Sequence, residues 1–297
     1  MKLYAISDLH VGFEANRRLW ATLPAHPGDW LILAGDLGET EDHLRFTLEI
    51  ATARFDRVLW TPGNHELWTL PDDASGLRGE ARYLRCVEIC RDHGVLTPED
   101  PYAVWPGDGP RCVLAPLFVL YDYSFRPDDI AEADALAWAR ASGLECTDEH
   151  LLHPDPHRSF PEWCRARCAA TRARLDAIPA DHQTILINHF PLRRELAWLP
   201  AIPRFSIWCG TRQTESWHLD YRARVAVSGH LHIPSTRWID GVRFEEVSLG
   251  YPRQRSADRS LAHYLREILP GEPEPRDANA SGDPAGASGT DDPRGRT

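Results

Sequence analysis

Residues 3–10 have the sequence Leu-Tyr-Ala-Ile-Ser-Asp-Leu-His, a short apolar run that ends in a polar cluster. Apolar runs of strand length recur along the chain, at residues 30–34, 58–60, 112–118, 184–187 and 225–227. Residues at helical spacing alternate with several of these runs, first Leu44, Leu48, Ala51 and Phe55, then Cys164, Cys168, Thr171 and Leu175. Alternating strand and helix patterns predict the layers of an α/β fold.

Five of the apolar runs end in polar clusters of one chemical kind. Together the clusters supply two carboxylates, one carboxamide and five imidazoles: Asp8, His10, Asp36, Asn64, His65, His189, His230 and His232. Because ligand groups in open α/β sheets gather beyond the carboxyl ends of the strands, we expect these side chains to converge on one crevice. Residues i and i+2 of a strand share a side, so the Asp8/His10 and His230/His232 pairs should each aim at one place.

The composition of the cluster points to metal chemistry. Mixed His, Asp and Asn ligation suits borderline and hard divalent metals such as Mn, Fe, Zn or Co. Glycines at positions 35, 63 and 229 are expected to let the backbone turn sharply beside the polar residues. The joint pattern therefore predicts a metal site, although any one of these polar strand ends would be unremarkable alone.

Five motifs carry a resemblance to a known family: Asp8-x-His10, Gly35-Asp36, Gly63-Asn64-His65-Glu66, Asn188-His189 and Gly229-His230-x-His232. In this order they resemble the full motif set of the calcineurin-like metallophosphoesterases. The resemblance implies a four-layer α-β-β-α sandwich, with two sheets packed face to face, helices outside and two metals at the strand ends.

The same resemblance assigns a role to each residue. Asp8, His10 and His232 match the ligands of one metal, and Asn64, His189 and His230 match those of the other. Asp36 matches the carboxylate that bridges both metals. His65 matches the non-ligand histidine beside the scissile phosphate.

The chemistry implied is hydrolysis of a phosphoester substrate. Two divalent ions, Mn or Fe before Zn, would share a hydroxide that attacks phosphorus in line, while His65 protonates the leaving oxygen as a general acid. Glu66 has two open interpretations, as the group that orients His65 or as a helix-start carboxylate. Purple acid phosphatases resemble this arrangement but carry tyrosine three residues after the bridging aspartate, where this chain has Glu39.

Several longer stretches resemble one actinobacterial branch of the family, the phosphopantetheinyl hydrolases, which remove 4′-phosphopantetheine from holo acyl carrier protein. These stretches are residues 62–68, 120–125, 208–211 and 240–248. Specificity is expected between Asn64 and His189, which are 125 positions apart, and in residues 190–221. The alternatives are a phosphatase or phosphodiesterase for small soluble esters such as nucleotides or cyclic nucleotides, and a binding module with vestigial metals.

Composition excludes several other classes. The chain has 33 Lys and Arg against 44 Asp and Glu, a formal charge of −11, which disfavours nucleic acid and anionic membranes as partners. No apolar run reaches the roughly 18 residues of a membrane span, and the first apolar run is too short for a signal peptide. We therefore expect a cytoplasmic protein.

Three local features complete the predictions. Residues 270–297 lack aliphatic side chains larger than Ala, so we expect a disordered tail after a catalytic domain at residues 1–269. The Cys86/Cys90 and Cys164/Cys168 pairs, each four apart, indicate helix packing rather than a structural zinc site. Arginines at 165, 167, 172 and 174 are typical of a solvated face, with docking of an acidic carrier protein as the alternative.

Overall fold

The computed structural model describes residues 1–256 and 259–271, and these contain ten β-strands. The strands are β1 Leu3–Ile6, β2 His26–Leu33, β3 Phe55–Trp60, β4 Ala103–Val104, β5 Cys112–Pro116, β6 Gln183–Ile187, β7 Ala223–Ser228, β8 Ser235–Ile239, β9 Val242–Glu246 and β10 Arg266–Leu269. All six apolar runs predicted as strands are confirmed.

Eight α-helices alternate with these strands in the described part of the chain. They are α1 Glu14–Trp20, α2 Glu41–Arg54, α3 Asn64–Leu67, α4 Gly79–Asp92, α5 Ala135–Arg140, α6 Asp148–Leu151, α7 Phe160–Asp176 and α8 Trp217–Asp220. Phe55 is the exception to the predicted helical spacing, because α2 ends at Arg54 and Phe55 begins β3. Its ring stacks on His26 of the neighbouring strand, with centroids 4.7 Å apart.

The strands form two mixed sheets. One has the order β10-β1-β2-β3, and the other has the order β4-β5-β6-β7-β9-β8. In the first sheet β1, β2 and β3 are parallel and β10 is antiparallel to β1, with Leu3 opposite Leu269. In the second sheet β5, β6, β7 and β9 are parallel, and β4 and β8 are antiparallel edge strands.

The two sheets pack face to face. Their facing side chains form one buried cluster that includes Leu3, Ala5, Ile32, Leu114, Ile185 and Val225. The opposite face of β2 carries Leu31 and Leu33, which belong to a second cluster with Leu44 and Leu48 of α2. On the outer side of the other sheet, Leu186 shares that cluster with Cys164 and Cys168 of α7. The predicted four-layer sandwich is thus confirmed.

A link between the sheets lies at the carboxyl end of β1. Ser7 forms a parallel bridge with Ser248, and its amide donates to the Val247 carbonyl at 3.0 Å. Leu249 in turn donates its amide to the Ser7 carbonyl at 2.8 Å. The loops that follow β1 and β9 are therefore held side by side, at the edge where the polar clusters begin.

The cysteines behave as packing residues. Cys86 and Cys90 lie on α4 and Cys164 and Cys168 on α7, and all four are buried and free of disulfides. Burial raises the pKa of the Cys86 thiol to about 12, so this sulfur stays protonated. The prediction of helix packing is confirmed for both pairs.

Two further predictions concern the C-terminal tail and the absence of a membrane span. Pro270 and Gly271 are described, whereas residues 272–297 of the predicted tail lie outside the described residues. Among the helices of the described ranges, none has both the length and the apolar character needed to cross a membrane.

Candidate metal centre

The predicted polar side chains come together beyond the carboxyl ends of β1, β2, β3, β6 and β7. Ligand atoms within 4.8 Å of one another form three overlapping groups: Asp8, His10 and His232; His10, Asp36 and His65; and Asp36, His189 and His230. The expected crevice is therefore present, and Asp36 lies in two of its groups. Asn64 adjoins them, because the amide of the next residue, His65, donates to Asp36 Oδ1 at 2.9 Å.

The first group is organised around the buried Asp8 carboxylate. His232 Nε2 lies 3.0 Å from Asp8 Oδ1 and 3.1 Å from His10 Nε2. Hydroxyl groups of Ser7 and Ser248 donate to Asp8 Oδ2 at 2.5 and 2.7 Å. These two hydrogen bonds orient the Asp8 carboxylate.

The second group includes Asp36, His189 and His230. His189 Nδ1 lies 2.9 Å from the Ala34 carbonyl, to which it donates, and this places the lone pair of the neutral ring on Nε2. That Nε2 atom is 3.4 Å from Asp36 Oδ2. In the first group, His232 is oriented similarly, because its Nδ1 lies 2.8 Å from Gln254 Oε1.

Buried polar atoms without a hydrogen-bond partner indicate whether these residues suit metal ions. Asn64 Oδ1, His189 Nε2 and His230 Nε2 are buried and have no hydrogen-bond partner among the described residues. Such orphaned groups are costly in a protein interior unless a ligand completes them. Carboxylate, amide oxygen and imidazole nitrogen are also the donor set that Mn²⁺, Fe²⁺ and Zn²⁺ accept, so the residues fit two divalent metals.

The charge states of these side chains suit the same purpose. Burial alone would raise the pKa of Asp36, but the positive charges of His189 and His65 hold it well below its ordinary value. Burial lowers the pKa of His10 to about 4 and that of His230 to about 3, whereas at His189 the charge of Asp36 outweighs burial and raises the pKa to about 10. Anionic carboxylates and neutral imidazoles are the forms that bind metals, so His189 must release a proton when a metal binds.

Backbone strain is concentrated at this centre. Eight non-glycine residues in the described ranges have positive φ, and five of them belong to the cluster: Asp8, His10, Asp36, His230 and His232, with φ from 43° to 73°. The left-handed region is disfavoured for these residue types and is typically retained at functional sites. Asp8 and His10 do meet, but through these turns beyond β1 and not through strand alternation, and His230 and His232 join different groups.

The three glycines are needed for two different reasons. Gly35 has a φ of 88°, as the prediction of a sharp turn requires. Gly63 has a φ of −95°, and Gly229 also lacks a positive φ, so neither position uses the left-handed conformation that favours glycine. A Cβ atom would lie 2.1 Å from Asp36 Oδ1 at Gly63 and 2.3 Å from Asp8 Oδ2 at Gly229. These two positions exclude side chains because the carboxylates occupy the space.

His65 lies beside the groups and is oriented by Glu39. Its Nδ1 is 3.1 Å from Glu39 Oε1, and its Nε2 is 3.7 Å from Asp36 Oδ2. Burial lowers the pKa of the ring, but the charge of Asp36 and the hydrogen bond and charge of Glu39 outweigh this and raise it to about 9. The sequence singled out Glu39 as a departure from another family but missed this contact.

Glu66 is a helix-start carboxylate, the second of the two roles predicted for it. Its carboxylate accepts the Gly63 and Asp36 amides at 3.0 Å each and the Leu37 amide at 2.8 Å. It therefore closes the start of α3 and ties the β2 loop to the β3 loop. Orientation of His65 belongs to Glu39 instead.

Asp148 and Trp68 also contact the centre, and the sequence pattern did not reveal either contact. Asp148 is fully buried, and its Oδ1 accepts from Asn64 Nδ2 at 2.9 Å and from Trp68 Nε1 at 2.7 Å. Because the amide NH₂ of Asn64 is held, its oxygen is left facing the cluster. Trp68 covers His65, with ring centroids 3.7 Å apart.

The remaining predicted specificity features divide between surface and interior. Trp208 and Trp217 are fully buried, whereas Trp198 is exposed. Three of the four α7 arginines bond within the protein: Arg167 to Glu99 at 2.6 Å, Arg172 to the Gln213 carbonyl at 2.9 Å and Arg174 to the Asp100 carbonyl. These bonds weaken the α7 run as a docking surface.

Two packed sheets with such a cluster at their strand ends define a phosphoester hydrolase of the metal-binding type. Residues 1–234 match the family of calcineurin-like phosphoesterases, and the chain belongs to that family.

Similar proteins agree with this assignment. The chain is 47% identical over 270 residues to the acyl-carrier-protein phosphodiesterase PptH of Mycobacterium tuberculosis, covering 90% of this chain and 83% of that protein. It also resembles the crystal structure of phosphopantetheinyl hydrolase (PptH) from Mycobacterium tuberculosis, with a TM-score of 0.86 and 45% identity. That match covers 97% of this chain and 98% of the other.

Proposed function

We propose that the chain hydrolyses the phosphodiester between 4′-phosphopantetheine and the serine of holo acyl carrier protein. The observation that carries this proposal is the 47% identity over 90% of the chain to an acyl-carrier-protein phosphodiesterase. The products would be 4′-phosphopantetheine and a carrier protein with a free serine hydroxyl.

We assign the two metals to separate ligand sets that share Asp36. Asp8, His10 and His232 would hold one ion, and Asn64, His189 and His230 the other, with Mn or Fe as the first candidates and Zn as the third. The orphaned atoms of Asn64, His189 and His230 support the second set. Two divalent ions there would neutralise the phosphodiester charge and make a water molecule nucleophilic near neutral pH.

The residues of the chain itself would orient the substrate and move the proton. His65, held at Nδ1 by Glu39, presents Nε2 toward Asp36 and so toward the reacting phosphate. From there it would protonate the oxygen that leaves phosphorus, as a general acid. Trp68 covers the other side of the ring and limits the access of water to it.

Mass spectrometry of a holo acyl carrier protein incubated with the enzyme tests this proposal. With Mn²⁺ or Fe²⁺ we expect the unmodified carrier protein and free 4′-phosphopantetheine to appear together. Chelation should stop the reaction, and Asp36→Ala should remain inactive after metal is restored. If the holo protein stays intact while nucleotides or cyclic nucleotides are hydrolysed, the chain is a small-ester phosphoesterase.

A further inference from the structure

A pocket of about 520 Å³ opens beside His65. Phe13, Trp68 and Tyr251 supply its aromatic walls. The rest of the lining consists of His65, Glu39, Thr147, Pro252 and Arg253. Phe13 is 46% exposed and Arg253 is also exposed, so the pocket is open to a large partner.

The aromatic walls continue directly from the metal centre. Trp68 packs on His65, and Tyr251 stacks on His10 with centroids 4.5 Å apart and planes 26° apart. Phe13 meets Tyr251 edge to face at 5.4 Å. A group bound between these rings would therefore lie next to the phosphate, on the side where His65 delivers its proton.

Arg253 supplies this pocket with a positive charge that no described carboxylate neutralises. Among the described residues it forms no ion pair, and its contact is with the Tyr251 ring at 5.6 Å. Arg193, in contrast, pairs with Glu195 at 2.7 Å and Asp240 at 3.0 Å. The carboxylate of Glu39 is also committed, to His65 at 3.1 Å and His43 at 3.2 Å. Guanidinium above aromatic walls suits a ligand that combines a carboxylate with an apolar side chain.

We infer that this pocket binds the protein side of the phosphodiester: an apolar side chain and a carboxylate of the carrier protein that flank the modified serine. The inference rests on the proposed function. In that reaction water adds its oxygen to phosphorus, and the bond from phosphorus to serine Oγ breaks. The bonding electron pair stays on Oγ, which takes the proton of His65. The attacking water releases its own proton to solvent, and solvent returns a proton to His65. Since His65 lines the pocket, the leaving serine and its neighbours lie there.

The pantetheine arm is the competing occupant. That arm offers only neutral amide and hydroxyl oxygens to the Arg253 guanidinium, whereas a carboxylate of the carrier protein would form a charge-assisted pair with it. It is also attached to the phosphorus that departs from serine, so it lies on a different side of the phosphate from the leaving oxygen. Charge and reaction geometry both favour the protein segment.

Steady-state kinetics of pocket variants test the inference. We compare Arg253→Gln and Phe13→Ala with two control variants, Arg54→Gln and Leu84→Ala, which change an exposed arginine at the end of α2 and a side chain that is 47% exposed on α4. The two substrates are a holo carrier protein and the 4-nitrophenyl ester of 4′-phosphopantetheine, which has the arm but no protein. Metal content and melting temperature of every variant establish that the fold and the centre are intact.

We expect the KM for holo carrier protein to rise about tenfold in each pocket variant. This is the usual effect of removing an arginine or aromatic side chain from an interface. The KM for the nitrophenyl ester should change less than about threefold. In a charge exchange, Arg253→Glu should recover activity with a carrier protein whose acidic residue beside the serine is replaced by lysine.

The outcomes separate this inference from the proposed function. If the unaltered enzyme releases no phosphopantetheine from holo carrier protein, the proposed function is wrong, and this inference with it. If it does release it but the pocket variants behave like the controls, the pocket assignment alone is wrong. Equal KM increases for both substrates would place the pantetheine arm in the pocket and also overturn the assignment.

Discussion

Two acidic side chains lie near the two nitrogens of the His65 ring and favour its protonated form. Glu39 contacts Nδ1 at 3.1 Å, and Asp36 lies 3.7 Å from Nε2. Both negative charges favour the protonated ring, and burial by Trp68 strengthens their effect by excluding water. This arrangement supports the proposed role of His65 as a proton donor.

His65→Ala and His65→Asn should retain two metals but lose roughly 10²–10⁴ in rate, the usual contribution of positioned proton transfer. The loss should be largest for an alkoxide leaving group such as serine and smallest for nitrophenol, which departs without a proton. Metal counting by mass spectrometry, beside rates on both leaving groups, checks this. Asn64→Ala and His189→Ala are the comparison variants and should each lack one metal. Equal losses on both substrates would contradict the assignment of His65 as proton donor.

Asp148 holds the side-chain amide of Asn64 through a hydrogen bond. Asp148→Ala should lower the affinity of the Asn64 metal by about 10–100-fold, because the amide is then free to rotate its oxygen away. Asp148→Asn keeps a carbonyl acceptor and should recover part of that affinity. Metal titration with the exposed Glu145→Ala as control measures the effect. Full metal affinity in Asp148→Ala would show that Asn64 needs no such support.

The sequence predicted members of the cluster only where a motif marks them. The positions of Asp8, Asp36 and His65 follow from strand ends, but Glu39 and Asp148 carry no local pattern. Asp148 is 84 residues from Asn64, and acidic residues are common throughout this chain. Their contacts depend on how the loops pack, which short-range sequence does not encode.

The loops that follow the strands are the elements on which the centre depends. At Gly63, between β3 and α3, the backbone approaches Asp36 so closely that a Cβ atom would lie 2.5 Å from its amide nitrogen. Glu66 holds the same two loops together by accepting amides from both. A small change in this loop should therefore displace Asp36, which the two proposed ligand sets share.

Gly63→Ala should destabilise the fold by about 1–3 kcal/mol through overpacking and should lower the content of both metals. Gly94→Ala is a suitable control, because Gly94 has a φ of 70° but nothing near its missing Cβ. That control should cost about 1 kcal/mol in backbone strain and leave the metals in place. Denaturant unfolding with metal analysis separates the two effects, and a Gly63→Ala protein with normal metal content would refute the close-approach argument.

At this scale the sequence predicted the apolar strands well and the charged ones poorly. The charged strands include β9, which is fully buried but has the sequence Val-Arg-Phe-Glu-Glu. β5, β6 and β7 are short apolar runs, so their burial marks them. β8 carries arginine and tryptophan at partly exposed positions, and β10 has four residues with two charges. These edge strands lack the apolar pattern and were not predicted.

For the molecule as a whole, the last described strand closes the first sheet. Ile268 and Leu269 of β10 are 0% and 4% exposed and pack between the sheets. The segment after Gly271 contains no aliphatic side chain larger than Ala and no aromatic one. We propose on this basis that the catalytic unit ends at the close of β10.

Removal of residues 272–297 should therefore change the melting temperature by less than about 4 °C and leave phosphoesterase activity intact. Truncation after Leu265 removes β10 as well, and losing two buried aliphatic side chains should cost at least about 4 kcal/mol. Calorimetry of both truncated proteins tests the boundary. A large loss of stability on removal of residues 272–297 would place the boundary of the catalytic unit beyond Gly271.

The antiparallel pairing of β10 with β1 also brings the two ends of the described fold to adjacent strands, about 5 Å apart. A short linker from Gly271 to Met1 could therefore join them, and new termini could be opened at the exposed Gly76. In such a circular permutant His189 would precede Asp8 along the chain, while each side chain kept its place in space. The centre depends on where strands end, and synthesis in a different order should rebuild it unchanged.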